Sequence, residues 1–393
     1  MELDIFDNTN SELFRNRYVL SADYIPEHLV ARDQEIQDIV NLVRPVLSHD
    51  APKNALVFGK TGTGKTVVIK YVIKKLYDKI KKNKLNVVPI FINCKEFRTV
   101  TQIIVRIIND IAPEISIPHS GFATGEYYNN LWEIINQKGL TIIIVFDEID
   151  QLKDHNILYS LSRARENMHI NNNIFIGIIG ISNDLFFIEK LDPRIISSFG
   201  SRSFVFPPYN ADQISEILKN RANMAFKNGI LAESVIPMCA ALSAQEHGDA
   251  RKALMLLEIA GEIAEREQAQ TITENHIKHA YDKINTECII EMVKSLPIQS
   301  KLVLYSVIKL SKRSKSSLTT GEVNLEYCEL CNKINIKNLS RSGVSALISE
   351  LDLMGIINAS IHNRGRYGTT RNISINNPTE KIESAILSDY HFD

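Results

Sequence analysis

Between residues 50 and 206 short, unbroken apolar runs alternate with stretches of helical periodicity. The runs occupy residues 55–58, 87–93, 141–146, 174–181 and 203–206, and turn polar at their C-terminal ends. Continuous apolar runs of this length are typical of strands buried on both faces, hence parallel. Alternation with helices predicts a doubly wound α/β sheet whose ligands sit at the C-terminal edge of the strands. Pro207-Pro208 ends this rhythm, and from Asn210 to about Asn285 only helical periodicity remains. Leu296-Pro297 opens a third region, reading as three helices followed by a glycine-containing hairpin. The expected organisation is an α/β base domain at 1–208, a small helical domain at 209–287 and a winged helix at 288–393.

Composition narrows this picture. At 393 residues, 44% hydrophobic and 23% charged, the chain is globular and too long for one core. Its formal net charge of −1 excludes a uniformly basic coat, though not a local basic patch. No apolar run approaches the roughly 20 residues of a membrane helix, and Met1-Glu2-Leu3-Asp4 does not read as a secretory signal. The expectation is a cytoplasmic protein without a membrane partner. The five scattered cysteines fit a reducing compartment. Cys328 and Cys331 lack the second pair a zinc site needs, so they read as structural.

The strongest chemical signal is Gly59-Lys60-Thr61-Gly62-Thr63-Gly64-Lys65-Thr66, matching G-x-x-x-x-G-K-[ST] between an apolar strand and a helix starting near Val67. Gly59, Gly62, Thr63 and Gly64 let backbone N–H groups converge on phosphate oxygens, where the helix N-terminus adds positive potential. Lys65 would reach the β- and γ-phosphates, and Thr66 would ligate Mg2+. A second site follows residues 142–146, where Asp147 and Glu148 emerge from a buried strand. Asp147 would hold Mg2+, and Glu148 would deprotonate the attacking water. The ligand these motifs call for is a nucleoside di- or triphosphate with Mg2+. Asn183, ending the next strand, is placed to bond the γ-phosphate or the water; the plainer alternative is an Asx turn or helix cap at Asn183 or Asp184.

Residues 340–351 read as a helix capped by Ser340, with Val344, Leu347, Ile348 and Leu351 on one stripe. The opposite face carries Arg341, Ser342 and Ser345, as expected of a helix lying in a major groove. The hairpin tip holds Arg364, Gly365, Arg366 and Tyr367, with Thr370 and Arg371 just behind. Glycines permit close approach to a phosphate backbone, arginines pair with it and a tyrosine stacks. Between residues 290 and 378 there are twelve Lys/Arg against six Asp/Glu, a cationic surplus within a nearly neutral chain. A winged helix used for protein contacts is the alternative. The lysine run from Lys70 to Lys84 reads as the solvated face of a helix.

Together these motifs resemble the AAA+ ATPases, and within them the archaeal origin-recognition/cell-division-cycle (Orc/Cdc-type) replication initiator family. The resemblance runs from about Leu20 to Ile375. Besides the two nucleotide motifs it rests on Tyr24-Ile25-Pro26-Glu27, Ile181-Ser182-Asn183-Asp184, Leu191-Asp192-Pro193-Arg194, Phe206-Pro207-Pro208-Tyr209 and Gly248-Asp249-Ala250-Arg251-Lys252-Ala253. It implies that Asn183 senses the γ-phosphate and that Arg251 is a second sensor, reaching the phosphates from the lid. Arg194 would be the arginine finger offered to a neighbouring subunit, with Arg202 the competing choice. Tyr24 and Ile25 would pack the adenine, and Tyr209 and Arg221 would line the nucleotide. It also implies double-stranded origin DNA, the replicative helicase and paralogous initiator subunits as partners. An insertion around Phe122 would wedge at the minor groove, or else be a surface loop with one packed phenylalanine. The function implied is ATP-dependent replication initiation with slow turnover. A nucleotide-gated transcription regulator uses the same parts, and a protein-remodelling motor would need a pore loop not evident at residues 93–98.

Overall fold

The computed structural model describes residues 12–118, 121–199, 202–246, 248–313, 318–363, 369–375 and 379–388. It divides into two compact units, Met1–Ile277 and Lys278–Asp393.

The first unit opens with α1 (Asp33–Val43) and β1 (Ala55–Phe58), followed by α2 (Lys65–Asn83), β2 (Val87–Asn93), α3 (Val100–Ile111) and α4 (Thr124–Lys138). Next come β3 (Thr141–Asp147), α5 (Asn156–Ser162), β4 (Ile176–Ser182), α6 (Pro193–Ser198) and β5 (Ser203–Val205). The five strands form a parallel sheet in the order β2-β3-β4-β1-β5. Alternate residues of β3 face opposite ways. Ile142, Ile144 and Phe146 join the core under α3 and α4, whereas Ile143 and Val145 join the core under α1 and α2. Fully burying each such side chain is worth about 1.5–3 kcal/mol, so the sheet is fixed from both faces. The register sets Phe58 opposite Ser182 and Asn93 opposite Asp147. The phosphate loop, the acid pair and Asn183 therefore leave one edge of the sheet together.

The fourth strand starts two residues later than its apolar run suggested, because Ile174 is held in a turn by its N–H to Asn171 O, 3.0 Å. The short β5 pairs with β1, and Phe206 just beyond it still donates to Phe58 O at 2.8 Å.

The helical part comprises α7 (Ala211–Ala225), α8 (Val235–Gln245), α9 (Ala250–Arg266) and the start of α10 (Glu274–Ser295). Asn210 and Gln213 close a capping box on α7, and Asp249 caps α9 by accepting from Arg251 N and Lys252 N. Residues 13–24 lie on these helices: the rings of Phe14 and Phe226 are 4.7 Å apart, and Arg15 N donates to Ala225 O at 2.7 Å.

α10 continues into the second unit, so the boundary expected at 287/288 falls inside a helix. Pro297 separates it from α11 (Ile298–Arg313). Then follow β6 (Leu318–Thr319), α12 (Thr320–Lys333), α13 (Arg341–Leu353), β7 (Asn358–Asn363), β8 (Thr369–Ser374) and α14 (Thr379–Leu387). β6, β8 and β7 form an antiparallel sheet in that order. Val344, Ile348 and Leu351 of α13 are buried with Leu302, Val307, Tyr327 and Ile373. Three helices and a hairpin with this packing make a winged helix; β6 and α14 are additions not foreseen from the pattern.

Candidate nucleotide site and nucleic-acid interface

The phosphate loop crosses from β1 into α2 with Gly62 at φ 77° and Gly64 at φ 89°, the left-handed region that side chains disfavour. A Cβ on Gly62 would fall 1.8 Å from Asp249 Oδ1, and one on Gly64 2.3 Å from the Tyr209 hydroxyl oxygen. These glycines thus admit the lid as well as phosphate. Gly59 packs against Phe206, and the Thr63 hydroxyl donates to Lys60 O at 2.9 Å, bracing the turn from within.

Lys65 Nζ donates to Gly59 O (2.7 Å), Lys60 O (2.8 Å) and Asn183 Oδ1 (2.9 Å). Burial, with the neighbouring Arg251 cation adding to it, brings this ammonium down to about 8. A polyphosphate against it supplies the compensating negative charge.

Across the sheet edge the Thr66 hydroxyl donates to the Asp147 carboxylate, at 3.3 Å to Oδ1 and 3.2 Å to Oδ2. Burial pushes the Asp147 carboxyl above the usual range, with the Thr66 bond opposing. A desolvated carboxylate beside a hydroxyl is a donor set suited to a hard divalent cation such as Mg2+. Glu148 follows at φ 52°, a left-handed backbone that costs of order 1–3 kcal/mol for such a residue and is characteristic of functional sites. It lines the phosphate pocket with Thr61, Lys65, Asn183 and Arg251. Asp150 accepts from Ser182 Oγ at 2.7 Å, tying the end of β3 to the turn carrying Asn183.

A cleft of about 350 Å³ runs from the phosphate loop and the acid pair to an apolar wall of Ile25, Pro26, Leu29, Val30, Met224 and Leu254. Val67, Tyr209, Arg221 and Arg251 also line it. Tyr24 does not. Its ring centroid lies 4.6 Å from the Arg221 guanidinium and 5.7 Å from that of Tyr18, so it backs the wall. Arg221 is buried, donates to Val19 O and Tyr24 O at 3.1 Å each, and is lowered from its ordinary value by burial. It holds residues 19–24 against α7.

One residue of the lysine run departs from its expectation. Lys70, grouped with a solvated lysine face, lines the cleft and sits 5.1 Å from the Phe91 ring centroid. Lys74, Lys75, Lys79, Lys81, Lys82 and Lys84 are exposed as expected. Arg194, 70% exposed, is paired in its own turn with Asp192 (Nε–Oδ1 3.0 Å, Nη2–Oδ2 2.8 Å), and the pairing brings Asp192 down to about 2. Arg202 is also exposed, with its carbonyl accepting from Leu56 N.

In the second unit Ser340 caps α13 by accepting from Gly343 N, 3.3 Å. Arg341 and Ser342 are exposed on its first turn and Ser345 is half-buried. Arg371, expected at the DNA, instead turns back: its Nη1 donates to Ser345 O (2.9 Å) and Ser349 Oγ (2.7 Å), bracing the hairpin on the helix. Thr370 lies in β8, opposite His362. Arg364, Gly365, Arg366 and Tyr367 fall outside the described residues. Phe122 of the first unit is 46% exposed, its ring edge-on to Tyr127 at 5.7 Å. Cys328 and Cys331 lie together on α12, and among the described residues no cluster of three or more His, Cys, Asp or Glu could hold a metal. Nor is any described helix long and apolar enough to cross a membrane.

The motifs did not reveal Asp249 against Gly62, the cleft wall from Leu29, Val30, Met224 and Leu254, or the Asp150–Ser182 tie. The Gly-Asp-Ala-Arg run was the available signal for Asp249, as a helix cap two residues ahead of the lid cation.

A parallel sheet with a phosphate loop, an acid pair and a helical lid, followed by a winged helix, defines an AAA+ ATPase carrying a winged-helix domain. Residues 28–176 match the AAA ATPase domain family, 215–282 the Cdc6 AAA+ ATPase-type lid domain and 291–385 the CDC6 C-terminal winged helix domain. The chain is 43% identical over 384 residues to the ORC1-type DNA replication protein of Pyrococcus abyssi, covering 96% of this chain and 91% of that one. It is 42% identical over 382 residues to ORC1-type DNA replication protein 1 of Methanosarcina acetivorans, with the same coverage. The structure of the Aeropyrum pernix ORC1 protein in complex with DNA matches 97% of this chain and 98% of its own, at 37% identity and a TM-score of 0.74. This chain belongs to the archaeal ORC1-type (Orc1/Cdc6) family of AAA+ DNA replication proteins.

Proposed function

We propose that the protein is an ATP-dependent replication initiator, binding double-stranded origin DNA and helping to recruit or load the replicative helicase. The observation that carries this is the convergence of Lys65, Thr66, Asp147, Glu148, Asn183 and the lid cation Arg251 on one pocket. It occurs in a chain 37% identical to an ORC1 protein solved on DNA.

ATP lies along the cleft with its base against Ile25 and Pro26 and its phosphates under the loop N–H groups. Thr66 and Asp147 would hold Mg2+, which would supply charge neutralisation at the phosphates. Lys65 neutralises the terminal phosphates, Asn183 fixes the γ-phosphate, and Glu148 accepts the proton of the attacking water. Arg251 gains energy only while the γ-phosphate is present, so nucleotide state sets the lid. Turnover is slow, and the nucleotide acts as a switch.

DNA is gripped through the α13 face and the hairpin, with Phe122 as a second contact from the ATPase unit. Arg194, released from Asp192, or else Arg202, serves a paralogous subunit's nucleotide. The functional division is base 1–208, lid 209–287 and winged helix 288–393, in a nucleoid-associated, cytoplasmic setting. Binding of a duplex from the cell's own origin, compared with random duplex at physiological salt and with ATP present, tests the reading. Equal affinity for the two excludes the initiator role.

A further inference from the structure

Arg32 is a charged side chain buried to 2% exposure at the start of α1, outside every motif that carries nucleotide chemistry. Its fork joins three separate elements. Nη2 donates to Thr63 O in the phosphate loop (2.9 Å) and to Pro207 O at the exit of the sheet (2.5 Å). Nη1 donates to Glu35 Oε1 (2.6 Å), which holds the charge in place. The guanidinium carbon lies 3.9 Å from the Tyr209 ring centroid and 5.6 Å from that of Phe206. Tyr209 in turn touches both sides of the hinge. Its hydroxyl fills the space beside Gly64, and its backbone abuts Gly248, with Tyr209 N donating to Gly248 O at 3.3 Å. Gly248 is followed by Asp249, which packs on Gly62 and caps the helix bearing Arg251.

We infer that Arg32 is the positioning residue that locks the lid hinge to the phosphate loop, so that Arg251 reaches the γ-phosphate only while this fork is intact. The inference rests on the nucleotide reading above and adds a residue that touches no nucleotide. A planar, five-donor cation suits the task, because it bridges two carbonyls and a carboxylate while stacking on an aromatic ring; an ammonium cannot do all of these.

The test is calorimetric titration of the full chain with Mg·ATPγS and Mg·ADP, in wild type, Arg32→Met, Arg251→Ala and the double variant. Arg32→Met is expected to weaken ATPγS binding about tenfold. ADP should change less than about twofold, and in the Arg251→Ala background the Arg32→Met effect on ATPγS should fall below about twofold. Equal losses for both nucleotides, or an undiminished ATPγS loss without Arg251, would mean that Arg32 merely supports the fold, and would overturn the inference. If Arg32→Met loses its cooperative melting transition, Arg32→Lys carries the same expectation, because it keeps the charge without the fork. A wild-type protein that binds neither nucleotide overturns the nucleotide reading itself, and this inference with it.

Discussion

The ammonium of Lys65 stands 2.9 Å from Asn183 Oδ1, joining the phosphate loop to the end of the adjacent strand. The pair forms because β1 and β4 are neighbours with Phe58 opposite Ser182, which brings two motifs 118 residues apart to one point. In the proposed function, a γ-phosphate entering there would take Lys65 as partner and free the Asn183 amide to report its presence. Asn183→Ala is expected to keep ADP binding within about twofold, while lowering ATP hydrolysis by roughly 10–100-fold, a loss of about 1.4–2.7 kcal/mol in barrier terms. Single-turnover hydrolysis alongside ADP titration checks both halves.

Glu148 occupies a strained backbone beside the phosphate pocket. Glu148→Gln retains its shape and should keep nucleotide binding, while removing the general base and reducing turnover by about 10²–10⁴-fold. Undiminished phosphate release would remove Glu148 from that role.

Thr66 and Asp147 bring a hydroxyl against a desolvated carboxylate, a donor pair that fits a divalent cation. Chelation of Mg2+ with EDTA should weaken triphosphate binding by at least about tenfold, consistent with a metal that neutralises phosphate charge. Titration of ATPγS with and without the chelator measures this. Asp147→Ala is expected to lose the difference.

The hinge is equally specific. Gly248 has φ 67°, and a Cβ there would meet the Tyr209 carbonyl oxygen at 2.3 Å, a backbone atom that cannot swing aside. Gly248→Ala should cost of order 1–3 kcal/mol of stability, visible as a lowered Tm, and should weaken ATPγS more than ADP by displacing Arg251.

On the second unit, Arg341 stands exposed on the first turn of α13. If it pairs with phosphate, Arg341→Ala weakens duplex binding across sequences and lowers the slope of log K against log salt by about one. Arg371→Ala acts differently. It frees the hairpin from Ser345 and Ser349 and should reduce thermal stability as well as affinity.

The residues of the phosphate loop and acid pair could be read in the sequence because they lie in short contiguous motifs, each at the end of a buried strand whose pattern is unmistakable. The α/β sheet, the lid and the winged helix were legible for the same reason: their periodicities span many residues. What was not legible depends on pairings across the chain. Arg32 meets Pro207 across 175 residues, and no local pattern marks it. Asp249 approaches Gly62 only once the lid is folded. Arg221 lines the cleft, whereas Tyr24, expected against the adenine, stands behind the arginine, a placement that only packing reveals. Arg371 looked like a free cation because its acceptors lie 22 and 26 residues earlier on a separate helix. The two-residue β6 was too short to stand out from its surroundings.

Calorimetric titration of Mg·ATP into the full chain and into Lys65→Ala tests the nucleotide site most directly. One site per wild-type chain, weakened at least about hundredfold in the variant (some 2.7 kcal/mol), is the expected result. Equal affinity in the two proteins, or no binding by the wild type, would contradict it.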